Sequence, residues 1–138
     1  RSGYFLGREI AGAMQARGTK GRLLFITSLH AETPRNLPHY SAAKAGQTMV
    51  VRELARHFGP AGIRVNAIAP GAIPGGGFNA GAYDFSGKIA LGRLGTAADL
   101  AGPALALLSD RFAGYVTGTT LVVDGGIDLF NWIKPPWG

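Results

Sequence analysis

Tyr40 and Lys44 are the pair in this chain whose types and spacing suit chemistry. Four residues is about one helical turn, so on a helix the two side chains leave the same face and meet. An ammonium beside a phenol favours the phenolate and draws its pKa down from about 10. A tyrosine tuned in this way can act as a general acid or base near neutral pH. Ser28 stands twelve residues earlier, after an apolar run, where its hydroxyl can hydrogen-bond a substrate oxygen. Together the three suggest proton transfer to or from a carbonyl or hydroxyl oxygen. Taken singly, each has a plainer reading. A tyrosine–lysine pair at this spacing is often only a surface contact, and a serine after a strand is more often a turn or cap residue.

Such chemistry needs elements that bring these side chains to one place. Leu6, Ile10 and Met14 recur at helical spacing beside Phe5, so residues 3–17 read as a helix with that apolar face, stopped by Gly18. Residues 22–27 form a continuous apolar run of strand length, and residues 28–38, with Pro34 and Pro38, a loop. Residues 39–58 read as a long helix whose buried stripe is Gln47, Val50, Val51, Leu54 and Phe58, ended by Gly59-Pro60. A second buried strand, 64–69, closes at Pro70-Gly71 and leads into a glycine-rich, mobile loop to residue 84. A short helix is expected over 85–92. Thr96 caps a further helix with Asp99 as its acidic partner, and Leu100, Ala104, Leu105 and Leu108 line its inner face. Residues 120–123 form a third buried strand ending at Asp124-Gly125-Gly126, where Asp124 fixes the turn. Met14 and Met49 are assigned to the core, and the aromatic tail with Phe130, Trp132 and Trp137 is expected to pack on something.

Buried strands alternating with helices imply an α/β fold, a parallel sheet with crossover helices. Ligands of such sheets sit outside the carboxyl ends of the strands. Ser28, Pro70-Gly71 and Asp124-Gly125-Gly126 all fall there, so one sheet edge is the predicted site.

Composition narrows the alternatives. The 138 residues have the length of one domain, and 46% hydrophobic against 16% charged residues excludes intrinsic disorder. The 22 glycines follow no triplet repeat, which excludes collagen. Without cysteine there is no disulfide framework or thiolate site, and the apolar stretches are far short of the roughly 18 residues that would span a membrane. A net charge of +6 permits nucleic acid or phosphorylated ligands, but the charges are single and scattered, which argues against a nucleic-acid arm and suits solvated helix faces. No histidine has metal-ligand spacing. His30 and His39 flank the site loop and are candidate substrate contacts.

Four segments carry a more specific signal in combination: Ile26-Thr27-Ser28, Tyr40-Ser41-Ala42-Ala43-Lys44-Ala45, Arg64-Val65-Asn66-Ala67-Ile68-Ala69-Pro70-Gly71, and Gly118-Thr119-Thr120-Leu121-Val122-Val123-Asp124-Gly125-Gly126. In order and spacing they closely resemble the short-chain dehydrogenase/reductase family, over essentially the whole chain. Residues 114–118 and the tail look most like the glucose dehydrogenase and 3-oxoacyl-carrier-protein reductase branches. The resemblance implies a Rossmann-like doubly wound sheet, an NAD or NADP cofactor and a small carbonyl or alcohol substrate. It implies that Tyr40 is the acid/base, that Lys44 lowers its pKa and binds the nicotinamide ribose, and that Ser28 orients the substrate oxygen. Pro70, Gly71 and the backbone of Ile73 would hold the nicotinamide, and the glycine-rich loop would be the substrate lid. A cytoplasmic homo-oligomer, dimer or tetramer, without metal, membrane or nucleic acid, is expected.

The departures are as informative. Ile73-Pro74-Gly75 stands where the family usually places a threonine near the cofactor. The glycine-rich fingerprint that opens a helix onto a pyrophosphate is absent, as is the residue that selects NAD from NADP. The chain opens on Arg1-Ser2-Gly3, read as lying inside a helix, and the family's supporting asparagine would fall just before Arg1. Residues 1–138 are therefore expected to be the C-terminal half of one dehydrogenase domain, three strands of the usual seven. The alternative is a truncated, inactive chain that serves as an interaction or structural module, its first strand left as an open edge.

Overall fold

The computed structural model describes residues 2–75, 78–85 and 87–131. Three parallel strands form one sheet in the order β1-β2-β3: β1 (Arg22–Ile26), β2 (Arg64–Pro70) and β3 (Thr120–Val123). Helices α1 (Ser2–Ala16) and α2 (Pro38–Phe58) form one layer, and α3 (Ala97–Leu108), continued by the short α4 (Asp110–Ala113), packs against all three strands. The doubly wound arrangement and the strand positions agree with the sequence reading to within one or two residues.

The burial does not agree everywhere. Only β2 is covered on both faces; β1 is half-buried, and Leu121 and Val122 of β3 are exposed. The reason is position, since β2 alone has a neighbour on each side. Its residues alternate between layers. Val65 and Ala67 join Ala11, Val51, Leu54, Ala55, Phe58 and Ile63 in the main core, while Arg64 and Asn66 bond to the α3 side.

Helix α1 buries a different stripe from the one expected. Gly7 and Ala11 face inward, whereas Phe5, Leu6 and Ile10 are exposed, Leu6 by 64%. Close approach decides this: a Cβ at Gly7 would lie 2.8 Å from Phe25 and 3.1 Å from Leu54. Met14 does pack against the core, but Met49 is half exposed. On α2 the buried residues are Thr48, Val51, Leu54, Ala55 and Phe58, with Gln47 and Val50 half-buried. On α3 the buried residue is Leu107; Leu100 and Ala104 are half-buried, and Leu105 and Leu108 turn outward.

Residues 85–92 show turns and bends among the described residues, not the short helix expected. Ile89 is instead drawn into a small second core with Leu29 and Ile127. The cap of α3 is as read: Thr96 donates its N–H and its Oγ1 to Asp99 Oδ2 at 2.7 and 2.9 Å. Phe130 is exposed, and Trp132 and Trp137 lie outside the described residues.

The α1–sheet contact makes a direct prediction. Gly7→Val should destabilise the chain by about 1–3 kcal/mol through overpacking against Phe25 and Leu54, more than the few tenths gained in helix propensity. A lowered urea midpoint is the expected readout, and an unchanged one would contradict this packing.

Candidate active site

Parallel pairing without offset places the carboxyl ends of the strands side by side. Ile26 pairs with Ile68, so Ser28 stands level with Pro70, and Pro70 in turn pairs with Val123, just before Asp124. Thr27 fastens the first junction, donating its N–H and its Oγ1 to the Ile68 carbonyl at 2.8 and 3.1 Å. Gly71 fastens the second, donating to the Val123 carbonyl at 3.0 Å. A Cβ at Gly71 would come within 2.5 Å of Asp124 Cβ, so the end of β3 excludes any larger residue.

Ser28 is buried in extended backbone, and its Oγ accepts the N–H of His30 at 3.3 Å, starting the 3-10 turn Leu29–Ala31. The chain then returns over Pro34 to Pro38, which opens α2 in its first turn, a position that tolerates the missing N–H. Tyr40 and Lys44 follow one helical turn apart. Lys44 Nζ lies 5.5 Å from the Tyr40 ring centroid and donates to the Ile26 carbonyl at 3.2 Å and to Gln47 Oε1 at 3.4 Å. The Tyr40 ring packs edge-on against His30, centroids 5.0 Å apart, with 38% of the residue open to solvent. Ser28, Tyr40 and Lys44 thus meet around the end of β1, linked through His30 and Ile26. Pro70 and Gly71 lie one strand further along the same edge. Ile73 lines a separate cavity of about 160 Å³ with Arg93, Asp99 and Asp124. A larger hollow of about 510 Å³ lies beside the site loop, lined by His30, Arg35, Pro38, Ser41 and Ala45 but not by Ser28, Tyr40 or Lys44.

His39 is exposed, whereas His30 is half-buried with its Nδ1 enclosed and unpartnered. Three residues that sequence reasoning missed also fix this loop. Thr33 Oγ1 donates to Asp128, and Arg35 reaches both the Ile127 carbonyl, at 3.3 Å, and Asp128, at 3.6 Å. Their separation of more than ninety residues leaves no local signal. Asp124 does fix its turn, its two oxygens accepting the N–H groups of Gly126 and Asp128, each at 2.8 Å.

Most of the scattered cations are exposed or half-buried, as read, but one is not. Arg64 is buried at the start of β2, donating to the Leu107 and Val116 carbonyls and to Asp110, which also pairs with Arg22. Among the described residues no cluster of three or more His, Cys, Asp or Glu is arranged to hold a metal ion, and no helix is long and apolar enough to cross a membrane.

A parallel α/β sheet with a hydroxyl, a phenol and an ammonium gathered at its carboxyl edge defines an open-sheet class whose ligands sit at that edge. Residues 1–128 match the family described as enoyl-(acyl carrier protein) reductase. The chain is 37% identical to an L-rhamnose 1-dehydrogenase (NAD(P)(+)) of Azotobacter vinelandii, covering 90% of this chain and 51% of that protein. It is 38% identical to glucose 1-dehydrogenase 2 of Bacillus subtilis, covering 94% and 52%. A short-chain dehydrogenase of Leptospira borgpetersenii with bound NAD+ superposes with a TM-score of 0.81 at 31% identity, covering 89% of this chain and 50% of that one. The chain belongs to the short-chain dehydrogenase/reductase family. It spans about half the length of the relatives it matches.

Burial, reinforced by the positive charge of Arg35, lowers the His30 pKa from its ordinary 6.5. The unfolded chain therefore takes up this proton at a higher pH than the folded chain does. The His30 contribution to stability is complete above about pH 6.5 and falls as the pH drops towards the folded-state value. Urea midpoints at roughly pH 5.5 and 7.5 check this: the first should be the lower, and His30→Gln should narrow the gap.

Proposed function

We propose that this chain carries the catalytic half of an NAD(P)(H)-dependent oxidoreductase that interconverts a carbonyl and an alcohol. The observation that carries this reading is the meeting of Ser28, Tyr40 and Lys44 at the carboxyl end of β1. The donor set suits the nicotinamide-ribose half of such a cofactor: an ammonium and a phenol for hydroxyl groups, with Pro70-Gly71 one strand further along the same edge and Ile73 lining a neighbouring cavity. The residues present do not include a glycine-rich cradle for the pyrophosphate.

A bound nicotinamide supplies the hydride acceptor or donor. The chain's own residues manage the proton. Ser28 Oγ, on a buried and hydrogen-bonded backbone, orients the substrate oxygen. Tyr40 gives its phenolic proton to that oxygen in reduction and takes it back in oxidation. Lys44, held by the Ile26 carbonyl and Gln47, keeps a positive charge where the tyrosine oxygen becomes negative, and this stabilises the transition state. The glycine-rich loop beyond Gly71 would cover the substrate, with Phe78, Tyr83 and Phe85 grouped at about 6 Å centroid spacing. The chemistry suits a small carbonyl or alcohol compound; assembly as a homo-oligomer and a cytoplasmic location belong to the same proposal.

Tyr40→Phe removes the acid/base and leaves the ring packed on His30. Turnover, followed by NAD(P)H absorbance, should fall about 10²–10⁴-fold. The same substitution at a half-exposed site should shift stability by no more than about 1 kcal/mol. Unchanged turnover would sink the role of Tyr40.

One observation favours a second reading, an interaction module without dehydrogenase activity. Leu6 and Ile10 expose 64% and 41% of their surface on the outer side of α1, and Ile26 exposes 49% on the opposite face of β1, apolar surface suited to association. Calorimetric titration with NADH and NADPH separates the two readings. A dissociation constant below about 1 mM for this chain supports the oxidoreductase and contradicts the module.

A further inference from the structure

Residues 29–37 join Ser28 to the start of α2, and the side-chain hydrogen bonds and ion pair that tie this loop to distant sequence end in one place. Leu29 packs against Ile127 and Ile89. Thr33 Oγ1 donates to Asp128 Oδ1. Arg35 donates to the Ile127 carbonyl at 3.3 Å and faces Asp128 Oδ1 at 3.6 Å. The receiving segment is the 3-10 turn Ile127–Leu129 after β3, which Asp124 holds in shape through the N–H groups of Gly126 and Asp128. One carboxylate thus takes a hydroxyl and a guanidinium from the same short loop. The ion pair is about a quarter exposed on each side, so solvent screens it less than a surface pair.

Apart from the packing of Leu29 and of the His30 ring on Tyr40, the loop has few bonds of its own. Its local bonds, Ala31 N–H to the Ser28 carbonyl and Glu32 and Thr33 N–H to the Leu29 carbonyl, make only one short turn. His30 Nδ1 and Arg35 Nε are enclosed without partners, so the loop's own polar groups do not complete one another.

We propose that Asp128 is a positioning residue for the candidate active site: from the far end of the chain it clamps the loop that sets Ser28 against Tyr40. This rests on the reading of Ser28 and Tyr40 as the reacting pair. The clamp acts through Thr33 and Arg35 and touches neither reacting side chain. Its consequence is that the turn after the last strand governs how closely the two ends of the site loop approach each other. Losing it would free Arg35 and let His30 move off the Tyr40 ring, while the sheet and the α1–α2 layer, which make none of these contacts, would stay in place.

Asp128→Ala and Asp128→Asn in the full 138-residue chain test this by two readouts that need no turnover. Amide hydrogen exchange over residues 29–33 should quicken at least about tenfold, with exchange in β2 unchanged. The NMR signals of the His30 ring, shifted by the edge-on Tyr40 ring 5.0 Å away, should move towards the values of a free histidine. Arg93→Ala, which breaks the more exposed Arg93–Asp99 pair, should move neither. The charge swap Arg35→Asp with Asp128→Arg should recover part of the protection, which a general loss of stability would not. Should Asp128→Ala fail to fold, Thr33→Val combined with Arg35→Gln cuts the same two contacts from the loop side and must give the same two changes. Slow exchange and an unmoved His30 signal in these variants would overturn the clamp. Because neither readout depends on hydride transfer, the clamp and the Tyr40 reading can fail separately.

Discussion

The candidate site hangs on the in-register pairing of β2 with a strand on either side. Because β1 and β3 run parallel to it, Ser28, Pro70-Gly71 and Asp124, drawn from three distant parts of the sequence, reach one edge together. The pairing needs β2 to be apolar on both faces, and Val65, Ala67, Ile68 and Ala69 are all buried without measurable exposure. Asn66 shows how polar groups are admitted to such a strand. Its side chain donates to the Val116 carbonyl and accepts the N–H of Thr119, so the segment leading into β3 is tied to β2 before the two strands begin to pair. Losing either bond would leave a buried amide unsatisfied, which generally costs about 1–3 kcal/mol.

The two ends of the sheet are held by different devices. At the amino ends Arg22 and Arg64 converge on Asp110, and Arg64 also reaches carbonyl groups of α3 and of the segment before β3. At the carboxyl ends the ties are turns and backbone donors around Asp124, with Thr33 and Arg35 meeting Asp128. The first device fixes a helix to the sheet; the second fixes a loop to a turn. The candidate site falls at the second.

Much of this was legible in the residues and some of it was not. Strands, caps and the spacing of Tyr40 and Lys44 are local properties, and apolar runs, Thr96 with Asp99, and the Pro-Gly stops announced them within a residue or two. Burial was harder because it depends on which neighbour is present. Leu6 and Ile10 obey helical periodicity as well as Gly7 and Ala11 do, but only the small pair lets α1 approach Phe25 and Leu54. Leu105 and Leu108 lost to Leu107 for a similar reason, since α3 presents one narrow line to the sheet. A short helix was expected over 85–92, but Gly87 and Gly92 weaken it, and Ile89 is drawn into the cluster with Leu29 and Ile127. Arg64 read as one of many scattered charges because its partners lie more than forty residues away.

The bond from Lys44 to the Ile26 carbonyl has a meaning apart from proton transfer. Thr27 turns its N–H towards β2, so by the alternation of a strand the carbonyl of Ile26 faces the opposite way, along the outer margin of β1. There the ammonium occupies the last outward acceptor. A strand lying along that margin would therefore find this carbonyl already taken by a side-chain donor. One side chain thus both belongs to the candidate site and caps an outward carbonyl at the end of β1.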